Sequence, residues 1–416
     1  MIYNIEDKPP IKKLLLFAIQ MVLAVFVASV LIAQICGVDV SAALVGAGLA
    51  TIVYAAITKF QSPMFLSNSG AFVAPVILAL AIGGYEGVAV GGLVTFAVYA
   101  IFGLIFTKIP VSAIYKIFPK TIIGSVTAVI GINLMGFLST YVQVNGVTTQ
   151  WGMIVAIITM LAIALISHYT KGLAKILPFL LGTLVGYAAA VIITLAGWCP
   201  MVDFSVFENL SIVRMPSWAF SQFTGTLGSA ATITIVVTFI AYTISAMMEC
   251  LSDHTALGNI IGTDLFKKPG LNRIFFGTGI ANIVGTCVGG LGICSYGEGV
   301  ATIGFSKVAS TIVTIVAALI LILLGFLAPV QAFIASIPSA VFCGSAMILY
   351  GFIAASGIKI LKDVNLNEQK NLIITSVVLS IGVSGLVLGG SVISFSGTAL
   401  AMIVGVILNL ILKNKA

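Results

Sequence analysis

Fourteen apolar runs, most of them near the length of one bilayer crossing, follow one another along this 416-residue chain with short polar or Gly/Pro-rich breaks between them. A helix needs about 20 apolar residues to cross the hydrocarbon core. Inside that layer no water satisfies backbone N–H and C=O groups, so such a chain is confined to a bundle of spanning helices. The runs cover 14–36, 42–58, 70–83, 87–107, 119–138, 152–168, 176–197, 229–262, 272–290, 297–306, 308–328, 335–357, 371–388 and 394–412. Little sequence remains for a soluble domain between spans or at either end. With 60% hydrophobic and 7% charged residues, the expected class is an all-α polytopic membrane protein.

The basic residues test the span count. With the N-terminus and its Lys8, Lys12 and Lys13 in the cytoplasm, alternating sides place Lys59, Lys108, Lys116, Lys120, Lys171, Lys175, Lys267, Lys268, Arg273, Lys307, Lys359, Lys362, Lys370, Lys413 and Lys415 inside as well. Only Arg214 falls outside, in loop 198–228 with Asp203 and Glu208. That partition obeys the positive-inside rule and supports fourteen spans with both termini in the cytoplasm. The formal charge of +7 is therefore a set of topology signals at helix ends rather than a nucleic-acid surface. The run from Leu14 to Cys36 is longer than a signal-peptide core and no small-residue cleavage site precedes it, so a retained first span is expected. Cys36, Cys199, Cys250, Cys287, Cys294 and Cys343 show no metal-ligand spacing and read as small hydrophobes, with no disulfide framework and no metal.

The third and tenth spans are short. Each follows a Ser/Gly-rich extended segment, Leu66-Ser67-Asn68-Ser69-Gly70 or Ile293-Cys294-Ser295-Tyr296-Gly297. They hold the same place in two sets of seven, which points to a transporter built from repeats. An odd number of spans per repeat reverses the second half, so the repeat is inverted, with the halves dividing near Met215. Two broken spans facing each other place two half-helix N-termini at the midplane, with free N–H groups and positive dipole ends.

Three acids sit in this apolar frame: Glu249 and Asp253 in the eighth span and Glu298 at the start of the tenth. A charge at a spanning helix centre costs about 2.5–3.5 kcal/mol, so intramembrane acids mark a site that takes up a polar solute or a proton. Asp253 lies four residues after Glu249, on the same helical face. His254 is turned about 100° away and reads as a packing or interfacial residue. Glu298 is favoured by the helix dipole and is also placed to accept N–H groups of a ligand. Tyr296 either stacks on a flat ring or packs. Desolvation and neighbouring acids both disfavour a charged carboxyl, giving Glu249 or Asp253 a physical route to proton coupling. Asp39, Glu86, Asp203, Glu208, Asp264, Asp363, Glu368, Glu6 and Asp7 fall in loops or at the N-terminus and read as solvated.

The stretch Glu249-Cys-Leu-Ser-Asp253, followed by Gly258-Asn259 and Asp264-Leu265, resembles that of the nucleobase–cation symporters, also called nucleobase–ascorbate transporters. Ser295-Tyr296-Gly297-Glu298 resembles the tenth-span motif of their bacterial uracil permeases. Leu66-Ser67-Asn68-Ser69-Gly70-Ala71-Phe72 with Pro75 resembles the start of the third span, and Leu349-Tyr350-Gly351 with Ala354-Ala355-Ser356-Gly357-Ile358 the twelfth span and its exit. The resemblance runs essentially the whole chain. It implies fourteen spans as 7+7 inverted repeats. A core domain of residues 1–109 (spans 1–4) and 229–330 (spans 8–11) would move against a gate domain of residues 110–228 (spans 5–7) and 331–416 (spans 12–14).

Substrate is then expected between the broken spans. The resemblance implies that Glu249 and Glu298 accept the ring N–H groups of a nucleobase, beside Tyr296. Backbone N–H groups near Gly70, Ala71 and Phe72 and at Gly297 and Glu298 would donate to its carbonyl oxygens. Asp253 falls where uracil permeases often have a His tied to proton coupling and purine permeases an Asp. Gly299, Ala301, Ser306-Lys307 and Gln20-Met21 depart from the family pattern.

The expected function is proton-coupled symport of a nucleobase, uracil first, into the cell. A purine or xanthine permease is the alternative, with an anion permease on the same fold behind it. An anion permease would want cationic or backbone anion sites and usually adds a C-terminal cytoplasmic domain, which a chain ending four residues after its last span leaves no room for. A channel stays open as a reading, to be told apart by gradient-independent flux. An intramembrane enzyme would need a nucleophile, metal cluster or Asp-rich motif that the sequence does not show. The expected partners are the nucleobase and the lipid bilayer, with a homodimer compatible, no nucleic acid, and no cofactor beyond a coupling proton.

Overall fold

The computed structural model of the chain describes residues 1–107, 119–136, 138, 142–144, 147–175, 177–208, 211–386, 388–389, 394–395 and 397–412. Lys108, Lys116, Lys413 and Lys415 of the charge partition lie outside the described residues. The first repeat contains α1 (Ile11–Cys36), α2 (Val40–Ile57), β1 (Leu66–Asn68), one 3-10 turn at Gly70–Phe72, α3 (Val73–Ile105), α4 (Lys120–Met135), α5 (Gln150–Tyr169) and α6 (Pro178–Leu195). The second contains α7 (Ser229–Ile261), α8 (Leu271–Gly289), β4 (Ile293–Ser295), α9 (Gly297–Ser306), α10 (Thr311–Phe326), α11 (Ala328–Ser336), α12 (Ser339–Leu361), α13 (Gln369–Val383) and α14 (Gly397–Ile411). Two short hairpins, β2–β3 (Gln143–Val144 with Val147–Thr148) and β5–β6 (Leu388–Gly389 with Ser394–Phe395), each precede the last or next-to-last spans of their halves.

Among the described residues, seven segments are long and apolar enough to cross a membrane by themselves, and α4, α10, α13 and α14 are shorter apolar helices. The fourteen spans are present with two departures from the sequence expectation. Spans three and four are two helices that meet without a loop, at a kink in α3 where Gly84 (φ 55°, ψ −155°) falls inside the break expected between 83 and 87. Glycine alone enters that region without steric cost, so the chain kinks there without a loop. The second departure is α11, a nine-residue helix where a plain connection was expected. Pro329 in its first turn and Pro338 at the N-cap of α12 divide what looked like one linker into helix and turn.

α1, α2, α3, α7, α8 and α10 pack on one another, and α4, α5, α6, α12, α13 and α14 form a second group. Small residues let backbones approach closely where hydrophobic driving force between helices is absent. A Cβ at Gly131 of α4 would run into the Ala354 backbone of α12, and one at Gly357 into the Ala128 backbone. Gly131→Val should therefore remove the monodisperse peak in fluorescence-detected size exclusion. Gly351→Val, on the same α12 but with nothing near its Cβ position, should leave that peak intact.

The two extended segments pair antiparallel at the centre, with Leu66 opposite Ser295, Ser67 opposite Cys294 and Asn68 opposite Ile293. A two-fold axis between the strands produces this arrangement, as inverted halves require. Each strand is held by the second helix of its own repeat. Thr51 of α2 donates to Leu66 O at 2.6 Å and accepts Leu66 N–H at 3.1 Å. Asn282 of α8 donates to Ile293 O at 2.7 Å and accepts Ile293 N–H at 2.8 Å. Side chains thus satisfy the backbone groups that a broken span frees, which is the condition for tolerating it at membrane depth.

Two acids read as solvated prove to be structural. Asp39 caps α2 through Ser41 N–H at 2.7 Å and Ala42 N–H at 3.3 Å. It also accepts Ser217 N–H at 3.0 Å and faces Arg214 at 3.8 Å. Glu86 accepts the Gly225 N–H. The segment 211–228 folds back over the bundle, so acids that sequence spacing assigns to open loops find partners nearly 140 residues or more away. All six cysteines are free thiols, and all but Cys287 are buried.

Candidate functional site

Between the two broken spans lies a cavity of about 500 Å³. Ser69, Gly70 and Ala71 line it from the third span, Ser295, Tyr296, Gly297 and Glu298 from the tenth. Ser245, Met248, Glu249, Ser252 and Asp253 of α7 form another wall, opposite Thr127 and Ile130 of α4 and Leu349, Ile353 and Ser356 of α12. The cavity reaches the end of α12, where Lys359, Lys362 and Asp363 are exposed. There Lys120 donates to Asp363 at 2.7 Å, and that contact holds the Asp363 carboxyl below the usual carboxylate range.

The three intramembrane acids therefore share one cavity, although Glu298 is 49 residues from Glu249 in the chain. Helical spacing explains Glu249 and Asp253: residues four apart stand one above the other on one face. Asp253 is tied to the tenth span, for Ser295 donates its hydroxyl to Asp253 Oδ2 at 2.6 Å. A Cβ at Gly297 would stand 3.7 Å from Asp253 Oδ1, so the carboxylate lies against the start of α9. That start is uncapped. Tyr296 at the N-cap is extended (φ −118°, ψ 112°) and its side chain makes no capping bond. The first four N–H groups of a helix lack intrahelical partners, so the α9 N-terminus presents donors beside two carboxylates.

On the facing side, Ser69 caps the 3-10 turn by accepting Ala71 N–H at 3.2 Å, and Phe72 N–H donates to Ser69 O at 3.1 Å. Gly70 and Ala71 reach the cavity; Phe72 does not. Its ring is buried and stacks on Phe239 at 6.0 Å, filling the space beside Gly292. Tyr296 is 93% removed from solvent yet forms part of the cavity wall. Gly299 and Met21, two departures from the family pattern, are neighbours: a Cβ at Gly299 would stand 3.6 Å from Met21 Sδ, in ordinary contact, and 3.3 Å from Phe65 Cβ.

Sequence reasoning missed Ser295 as the partner of Asp253, and Asn282 and Thr51 as strand holders. A lone Asn in the apolar run GTGIANIVGT is the signal that was there to read, since a polar side chain in a span needs a partner. Ser245 and Thr127, whose hydroxyls meet at 3.2 Å across the cavity, were likewise not singled out.

A multi-pass helical bundle in which two broken spans enclose a carboxylate-lined cavity is built to move a small molecule across a membrane; it is a transporter, not an enzyme. The chain belongs to the Permease family, whose model Xan_ur_permease matches residues 12–389. It is 32% identical to the uracil permease of Bacillus caldolyticus over 422 residues, covering 100% of this chain and 95% of that one. To the uracil permease of Bacillus subtilis it is 33% identical over 419 residues, covering 98% and 94%. Among solved structures, the transmembrane domain of the cyanobacterial bicarbonate transporter BicA matches with a TM-score of 0.63 at 16% identity, over 98% of this chain and 100% of that one. That last likeness is one of fold.

Proposed function

We propose that this chain is a proton-coupled symporter that carries a nucleobase, uracil first, into the cell. The observation that carries this is the meeting of Glu249 and Glu298 with the uncapped N-terminus of α9 in one cavity. A nucleobase edge alternates N–H donors with carbonyl acceptors. Carboxylates beside free backbone N–H groups are the complement of that edge, and a bidentate edge contact of this kind discriminates strongly against a ligand lacking it. An anion between the broken spans would meet three acids, the lysines Lys359 and Lys362 standing only at the exposed end of α12, which argues against the anion reading. Relatives named uracil permease at about 30% identity over nearly the whole chain support the same substrate class.

The two helix groups support an assignment of residues 1–109 and 229–330 to a core domain and of 110–228 and 331–416 to a gate domain. The cavity lies on their boundary, with Glu249, Asp253 and Glu298 on the core side and Thr127, Ile130 and Ile353 on the gate side. With both termini cytoplasmic, the end of α12 is cytoplasmic too, and the cavity opens inward. Uptake of labelled uracil by transport-deficient bacteria expressing the chain tests the substrate. Unlabelled uracil should compete fully at concentrations where adenine, guanine, xanthine and hypoxanthine do not. Uptake of a labelled purine with no uracil uptake would assign the purine branch, towards which Asp253 leans.

A further inference from the structure

One turn of α7 carries both Glu249 and Asp253, and the side chain next to them points away from the cavity into a buried polar network. His254 is 1% exposed and lies outside the cavity lining. Its Nδ1 is 2.7 Å from Cys250 O, and its Nε2 is 2.7 Å from the hydroxyl of Tyr54 on α2. The same hydroxyl is 2.9 Å from Ser62 Oγ, and both Tyr54 and Ser62 are fully buried. A carbonyl only accepts, so Nδ1 carries a proton. Nε2 of the neutral ring is then an acceptor, and the single proton of the Tyr54 hydroxyl is shared between Nε2 and Ser62 Oγ, both within 2.9 Å of its oxygen.

The three groups belong to three elements of the site. Cys250 is the residue after Glu249, within the turn that ends at Asp253. Tyr54 lies three residues beyond Thr51, the residue that holds β1 through Leu66. Ser62 lies four residues before Leu66, in the segment that feeds β1 and the third span. Removing one member leaves buried polar atoms without partners, so the network resists distortion. We propose that Tyr54 and His254 are positioning residues. They lock the carboxylate-bearing turn of α7 to the α2–β1 frame, and so set Glu249 and Asp253 against Gly70 and Gly297.

This rests on the nucleobase reading of the cavity. It is tested on the purified full chain by calorimetric titration with uracil, expressed per folded molecule, together with thermal unfolding. Tyr54→Phe and His254→Leu should each weaken uracil binding about tenfold, the scale of one misplaced hydrogen bond to a charged group. The double variant should bind no more weakly than His254→Leu alone, because the two share one interaction. His254→Gln, whose amide reaches the Tyr54 hydroxyl from the place of Nε2, should recover part of the loss. Unchanged affinity in folded Tyr54→Phe and His254→Leu, or losses that simply add, would overturn the positioning role while the nucleobase reading stands. No uracil binding by the unaltered chain would overturn both.

Discussion

Glu298→Gln should lower uracil affinity by about two to three orders of magnitude without lowering the unfolding temperature. The amide exchanges one acceptor oxygen for an N–H₂ donor, which then faces a ring N–H. A hydrogen bond to a charged acceptor is worth about 1.5–3 kcal/mol, and a desolvated donor left unpaired costs about 1–3 kcal/mol more. About 3–4 kcal/mol corresponds to a factor of several hundred in the dissociation constant. Glu249→Gln, in the same cavity, should behave alike.

Stability should barely move. Glu298 is partly buried, but the N-terminus of α9 offsets the cost of its charge, and Glu249 is exposed to the cavity, so neither charge is a large term in folding. Glu86→Gln serves as the control: it faces the Gly225 N–H far from the cavity and should bind uracil as the unaltered chain does. Wild-type affinity in Glu298→Gln would take that residue out of the site.

The parts legible in the sequence are those that local physics fixes. Apolar length gave the spans, and span parity gave the inversion. The tenth span at Gly297–Ser306 appears with the bounds the sequence suggests. Long-range partners were not legible. Nothing local to Asp39 says that Ser217 and Arg214 return to it, and nothing local to Asp253 says that Ser295 lies within 2.6 Å. The break between spans three and four was legible, but not that the two helices meet at a kink at Gly84 with no loop between them. His254 was legible as turned away from Glu249, yet its burial against Tyr54 depends on a helix 200 residues earlier. Phe72 shows the converse. Its backbone N–H is expected among the ligand donors, but in the 3-10 turn it donates to Ser69 O at 3.1 Å, and the ring lies behind the site, on Phe239.

Asp253→Asn should separate binding from coupling. The carboxylate accepts the Ser295 hydroxyl at 2.6 Å, and an amide oxygen accepts it equally, so the junction of β4 and α9 keeps its geometry. Uracil binding should stay within about threefold of the unaltered chain, well under the cost of a lost charged hydrogen bond. What the amide cannot do is take up and release a proton. One unit of pH gradient is worth about 1.4 kcal/mol per proton, or about tenfold accumulation of a co-transported solute. In proteoliposomes acidified outside by one unit, the unaltered chain should therefore concentrate uracil about tenfold inside. Asp253→Asn should equilibrate it and no more, while still exchanging labelled for unlabelled uracil. A sodium gradient at equal pH should drive neither. Accumulation retained by Asp253→Asn would move the coupling proton to Glu249, and accumulation driven by sodium alone would replace the proton altogether.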